Sequence, residues 1–138
     1  MPTPTIEEYL ETIYAMASDG GEVIGARLSE ALNVSPPTVT ATLQRMLRDG
    51  LIEFGPRKDV KLTPLGQEAV ESLIRRHRLS ERLLVDVLGM DWHEVHDEAC
   101  KLEHAISPRV EARLQETLGH PTTCPHGNPI PGASQTAD

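Results

Sequence analysis

The stretch His-Asp-Glu-Ala-Cys-Lys-Leu-Glu-His, residues 96–104, gathers two imidazoles, one thiol and three carboxylates into nine positions. At 3.6 residues per turn, a helix puts His96, Cys100, Glu103 and His104 on one face. Ala99, Leu102 and Ile106 form an apolar stripe beside them, and Glu98 and Lys101 point elsewhere. Imidazole, thiolate and carboxylate are the donors that divalent transition metals take from proteins. The same nine residues, met in isolation, also fit a solvated charged face with one buried cysteine. The surrounding elements have to decide.

A chain of 138 residues makes one domain, or one with a small appendage, and has enough apolar content for a core. Tyr9, Tyr14, Phe54 and Trp92 are its aromatic residues, so that core is aliphatic. No apolar run approaches the length of a membrane span, and the start lacks the pattern of a signal peptide. Two cysteines in an acidic chain then suggest reduced thiols in a cytoplasm. The formal charge of −8 argues against indiscriminate binding of nucleic acid, but its distribution matters more. Residues 1–22 carry five acids and no Lys or Arg, whereas residues 23–63 carry six bases against four acids. Residues 64–138 carry seven bases against twelve acids. A basic middle therefore lies between acidic flanks that a cation could draw together.

Helical punctuation covers nearly the whole chain. Thr5 and Glu8 have capping-box spacing and open a helix that stops at Gly20-Gly21. A second helix spans roughly Ile24 to Leu32. Asn33 suits a left-handed turn, Ser35 an N-cap, and Pro36 and Pro37 a first turn. Val39, Leu43, Met46 and Leu47 then form a buried stripe, closed at Gly50. Two short helices joined by a tight turn make a helix-turn-helix, whose second helix enters the DNA major groove by its N-terminal end. That end carries Ser35, Pro37, Thr38, Thr40 and Ala41, small residues suited to phosphate oxygens and thymine methyl groups. LIEF and VKL alternate as strands about the turn GPRKD, which makes a β-hairpin wing. Arg57, Lys58 and Lys61 on it would meet backbone phosphate without reading sequence; a plain solvated turn is the alternative.

Thr63-Pro64 opens a long helix to about Leu88, more apolar than a small domain hides from itself, so a partner subunit is expected. His77 and Glu81 form an i, i+4 pair within it. Asp91 and Glu94 have the spacing of a second capping box, opening the 96–104 helix. Ser107-Pro108 ends that helix and starts a last one reaching Gly119. The tail from His120 is rich in Pro and Gly and reads as irregular and extended. The expected division is a winged helix-turn-helix over residues 1–63, a metal-binding and dimerisation domain over 64–119, and a tail over 120–138. The fold class is mainly α, with a small β-hairpin.

The runs SPPTVT, RRHRLSERLL, VHDEACKLEH and HGNPIPG together resemble the diphtheria toxin repressor family of metal-dependent transcriptional regulators, over almost the whole chain. The resemblance implies a homodimeric repressor that binds inverted-repeat operator DNA when loaded with Fe(II) or Mn(II) and controls metal homeostasis. It implies two metal sites per subunit, which Zn(II), Co(II) or Ni(II) can also fill in vitro. Its main site would take Cys100, Glu103, His104 and Glu8, joined by His77 and Glu11 in manganese-responsive members. An ancillary site would use His77, Glu81 and His96, and a tail like CPHG points to Cys124 and His126. This chain has Glu8 where iron-type members usually have methionine and manganese-type members aspartate. It has Cys100 where manganese-type members have glutamate, so its ligand set is mixed. Larger members continue past HGNPIPG into an SH3-like domain, whereas six residues follow Gly132 here.

Other classes find little support. His96-Asp97-Glu98 matches the H-x-E of zinc deaminases, but no P-C-x-x-C follows. H-E-x-x-H, a phosphate-cradling Gly loop and a Ser-His-Asp arrangement are missing as well. The expectation is a DNA-binding regulator rather than an enzyme, with neither a membrane nor a small organic substrate as partner. A winged-helix protein with a purely structural metal is the alternative.

Overall fold

The computed structural model describes residues 3–132, so residues 133–138 of the expected tail lie outside the described residues. The chain is mainly helical with one small antiparallel sheet. It forms two compact units that divide between Val70 and Glu71. Among the described residues, no helix is long and apolar enough to cross a membrane.

The first unit contains α1 (Pro4–Ser18), α2 (Gly25–Leu32), α3 (Pro36–Arg48), β1 (Ile52–Phe54), β2 (Val60–Leu62) and the opening turns of α4 (Pro64–Arg82). The strands pair antiparallel in the register Ile52–Leu62, Glu53–Lys61 and Phe54–Val60. α1 packs on α2 and β2, and α3 packs on α2 and β1. Leu10, Ile13, Leu28, Val39, Met46 and Ile52 are fully buried. The α2–α3 turn closes as its sequence predicts: Asn33 adopts φ 55°, and Ser35 caps α3 by accepting from the Thr38 N–H at 3.3 Å.

The second unit continues α4 and adds a π-helical turn (Leu83–Val87), α5 (Val95–Glu103), α6 (Pro108–Thr117) and a loop over residues 120–132. Leu84, Val95 and Ala99 form one apolar cluster with Val85, Met90 and Leu102 around it. Leu79 and Ile130 form another, flanked by Leu118.

Four helices begin alike, at Thr3-Pro4, Ser35-Pro36, Thr63-Pro64 and Ser107-Pro108, each hydroxyl accepting an N–H three residues on. Proline at the first helical position has no N–H to leave unpaired, so the preceding Ser or Thr becomes the cap. This corrects the Thr5–Glu8 capping box: Thr3 caps α1, because Pro4 takes the first helical position. The Asp91–Glu94 box does not form either. The Asp91 carboxylate accepts from the His93 N–H at 3.0 Å, and Glu94 makes no side-chain cap bond. On α3, Thr42 is buried while Leu47 is 39% exposed, so the stripe runs one position away from its expected edge. Thr42 can be buried because its hydroxyl donates to Thr38 O at 3.1 Å. The long helix is α-helical only to Arg82, and Leu88 N–H then bonds Leu83 O at 3.1 Å, five residues back.

The loop after α6 is more ordered than its composition suggests. Thr123 and Pro129 form an isolated antiparallel bridge, Cys124 N–H bonds Asn128 O at 2.8 Å, and Ile130 N–H bonds Thr122 O at 2.8 Å. Three arginines of α4 hold it. Arg75 Nε donates to Pro131 O at 2.8 Å, Arg78 donates to Pro129 O, and Arg82 Nε donates to Thr123 O at 2.8 Å.

Candidate metal centre and reading face

Two helices of the second unit supply the first donors. His77 and Glu81 lie one turn apart on α4, as do His96 and Cys100 on α5. His77 is the meeting point. Its Nδ1 lies 2.7 Å from Glu103 Oε1 and 3.9 Å from Cys100 Sγ, and its Nε2 lies 3.6 Å from Glu81 Oε1. Cys100 Sγ is 3.6 Å from His96 Nε2, and the His77 and His96 rings meet edge-on with centroids 4.9 Å apart. Donor atoms of His77, His96 and Cys100 all lie within 4.8 Å of one another. Tetrahedral ligands about 2.0–2.3 Å from a metal stand roughly 3.5 Å apart, so small side-chain adjustments suffice to close this group on one ion.

A second group shares Glu81. Its Oε2 lies 3.1 Å from His126 Nδ1, which is 4.0 Å from Cys124 Sγ. Donor atoms of Glu81, Cys124 and His126 also fall within 4.8 Å of one another. Cys124 and Glu81 are buried, and the arginine clamp on residues 123–131 fixes the loop that carries Cys124.

The donor set fits a cation. Glu103 is completely buried, and its Oε2 meets no hydrogen-bond donor among the described residues. A buried carboxylate oxygen without a donor is costly, and a divalent ion removes the cost directly. His104 is the C-cap of α5 and is half-buried. Glu8 and Glu11 stand on α1 in the first unit, Glu8 exposed and Glu11 half-buried. Within the second unit, then, Cys100 stands with His77 and His96, and Glu81 with Cys124 and His126.

Two carboxyls near these elements are displaced from their ordinary range. The His93 N–H and ring hold Asp91 below it. Burial pushes Glu111 above it, and the nearby Arg75 and Arg76 only partly oppose the rise.

In the first unit, Ser35, Pro37, Thr38, Thr40 and Ala41 are all exposed at the start of α3. The Ser35 and Thr38 hydroxyls share a hydrogen at 2.8 Å, and Thr40 donates to Pro36 O at 3.1 Å. Each hydroxyl keeps lone pairs for a ligand. Arg57, Lys58 and Lys61 are exposed on the hairpin, and Lys58 adopts φ 60° in its turn. Arg57 lies 3.7 Å from Glu22, and Lys61 lies 4.0 Å from Asp59. An exposed pair such as Arg57–Glu22 is worth little and is readily exchanged for phosphate.

Two contributors escape a reading of the sequence. Arg75, Arg78 and Arg82, at i, i+3 and i+7, form a stripe whose spacing was visible but whose partners were not. Trp92 contributes its main-chain oxygen, 2.6 Å from His126 Nε2, and leaves no sequence signal for that role.

Comparison with known proteins adds a consistent picture. A family model described as the iron dependent repressor N-terminal DNA binding domain matches residues 1–60. A second, the iron dependent repressor metal binding and dimerisation domain, matches residues 63–132. The chain is 49% identical over 128 residues to the iron-dependent repressor IdeR of Mycobacterium tuberculosis, covering 93% of this chain and 56% of that protein. It is 48% identical over 128 residues to the diphtheria toxin repressor of Corynebacterium efficiens, with the same two coverages. Among solved structures, a manganese-dependent transcriptional repressor in complex with manganese superposes with a TM-score of 0.81 at 41% identity, over 94% of this chain and 59% of that one. The chain thus spans little more than half the length of the curated relatives it matches.

Proposed function

The chain belongs to the iron-dependent repressor family, and from that premise we propose that it is a transcriptional repressor that binds operator DNA as a homodimer when loaded with Fe(II) or Mn(II). The observation that carries this reading is the buried Glu103 carboxylate, one oxygen against His77 and the other without a donor among the described residues. A bound divalent ion supplies the positive charge that such a cluster of carboxylate, imidazole and thiol lacks.

The residues divide the work. His77, His96, Cys100 and Glu103 hold one metal, and Glu81, Cys124 and His126 hold a second. His104, Glu8 and Glu11 are proposed as further ligands on the family resemblance, each to be tested by its own Gln variant. Zn(II), Co(II) and Ni(II) substitute in vitro because they accept the same donors. Ser35, Pro37, Thr38, Thr40 and Ala41 face base edges and phosphates, and Arg57, Lys58 and Lys61 grip the backbone. Dimerisation is supported by Val87 and Leu88, 57% and 62% exposed. The operator is an inverted repeat, because two reading helices in a two-fold dimer address half-sites about one helical turn, roughly 34 Å, apart.

Metal can shift this equilibrium only through its higher affinity for the DNA-competent form. Gel-shift titration in a reducing buffer, with Mn(II) or Fe(II) against chelator, is expected to differ by about tenfold or more, within the usual range of allosteric coupling. Equal binding in both conditions defeats the reading.

A further inference from the structure

His126 has two ring nitrogens with different neighbours. Nε2 lies 2.6 Å from the main-chain oxygen of Trp92, and Nδ1 lies 3.1 Å from Glu81 Oε2 and 4.0 Å from Cys124 Sγ. A carbonyl oxygen can only accept, so a contact this short requires the hydrogen on Nε2. That leaves Nδ1 as the atom turned toward the carboxylate and the thiol. Imidazole ligands characteristically donate their second N–H to a carbonyl or carboxylate, which fixes both ring orientation and tautomer.

The carbonyl is itself held in place. Asp91 accepts from the His93 N–H at 3.0 Å and contacts its ring at 2.7 Å, while Glu94 N–H bonds Asp91 O at 2.9 Å. The Trp92 ring meets the His93 ring at a tilt, with centroids 3.9 Å apart, and leans on His126 at 5.3 Å. The short connection between the π-helical turn and α5 is therefore tied at Asp91, and its Trp92 touches His126 with both main chain and ring.

We infer that Trp92 is the positioning residue of the Glu81–Cys124–His126 metal group, its carbonyl fixing Nε2 as the protonated nitrogen of His126 and Nδ1 as the metal-binding one. The inference rests on the metal reading above and adds the nitrogen used and the element that selects it. It also ties that group to the segment bearing Leu88 and Trp92, which are 62% and 49% exposed.

The test uses the full chain labelled with ¹⁵N, freed of metal by chelator and then titrated with Zn(II) alone. Long-range ¹H–¹⁵N spectra of the imidazoles report which nitrogen binds. The expected result is a protonated Nε2 and a zinc-shifted Nδ1 on His126. Trp92→Gly, which loosens the main chain at an exposed position, is expected to weaken Zn(II) binding about tenfold or more, the usual effect of losing a ligand's orienting partner. Trp92→Phe is expected to retain wild-type affinity. Zinc on Nε2, or unchanged affinity in Trp92→Gly with an unchanged circular dichroism spectrum, overturns the inference while leaving the metal group standing. If His126 resonances do not respond to zinc, and the cobalt spectrum is the same in Cys124→Ser as in wild type, the metal reading of this group fails with it.

Discussion

His77 shows what a single residue decides here: its ring brings a carboxylate from each of two helices and the thiol of Cys100 within 4 Å of its nitrogens. Because Cys100 is the sulfur of that group, Co(II) is expected to give a thiolate-to-metal charge-transfer band that weakens in Cys100→Ser. Cys100→Glu makes the set harder and is expected to raise the Mn(II) response relative to Fe(II). A band untouched in Cys100→Ser but gone in Cys124→Ser assigns the sulfur ligand to Cys124 instead. Glu111 carries a different prediction. Burial raises its pKa in the folded chain, with Arg75 and Arg76 opposing. A raised folded-state pKa means that protons favour the native state, so its contribution is fully present below the unfolded value and is lost as pH rises through the folded one. Glu111→Gln is therefore expected to melt higher than wild type at pH 7 and equally at pH 4. Thermal melts at the two pH values check the sign, and a lower melting point at pH 7 refutes it.

Among the elements, the hairpin and the 120–132 loop teach opposite lessons. The hairpin is locally specified: VKL forms β2 and all but the first residue of LIEF forms β1, closed by the bond from Gly55 N–H to Asp59 O at 2.8 Å. On the proposed reading, its exposed cations act on phosphate. Arg57→Ala is expected to weaken binding to all DNA sequences alike and to make the salt dependence shallower by about one ion. Lys58→Asn is the matching variant there, since asparagine tolerates the positive φ that Lys58 adopts. Altered sequence preference at an unchanged salt slope shows instead that these side chains read bases. The loop is specified at a distance, by guanidinium groups 41 to 56 residues away along the chain. Glycine and proline announced an irregular segment there, but which residues it would face was not a local property.

At the scale of the molecule, each unit hides its own aliphatic residues: Leu10, Leu28 and Met46 in the first, Leu73, Leu79 and Val95 in the second. On the proposed sensor reading these aliphatic cores hold the fold when the metal leaves, whereas a protein built around a structural ion would unfold. Chelation is expected to leave the far-ultraviolet circular dichroism largely unchanged while reducing operator binding, and metal is expected to restore it. Loss of helicity on chelation identifies the metal as structural.

The sequence by itself determined the helices, most of their starts and the hairpin. Ser-Pro and Thr-Pro caps, a left-handed Asn33 and period-3.6 or period-2 apolar spacing act within a few residues, so they are legible without the fold. Even its misplaced first cap was a local contest, in which Pro4 favoured Thr3 over Thr5. The donor types were legible too, since His, Cys and Glu at one-turn spacing on α4 and α5 already suggest a metal. Which donors come together was left to the tertiary structure. It brings His77 to Glu103, 26 residues on, and Glu81 to His126, 45 residues on. The arginine clamp and the Trp92 carbonyl were decided there as well. A side chain's partners across such separations follow from how whole helices pack, and a backbone oxygen looks alike at every position of a sequence.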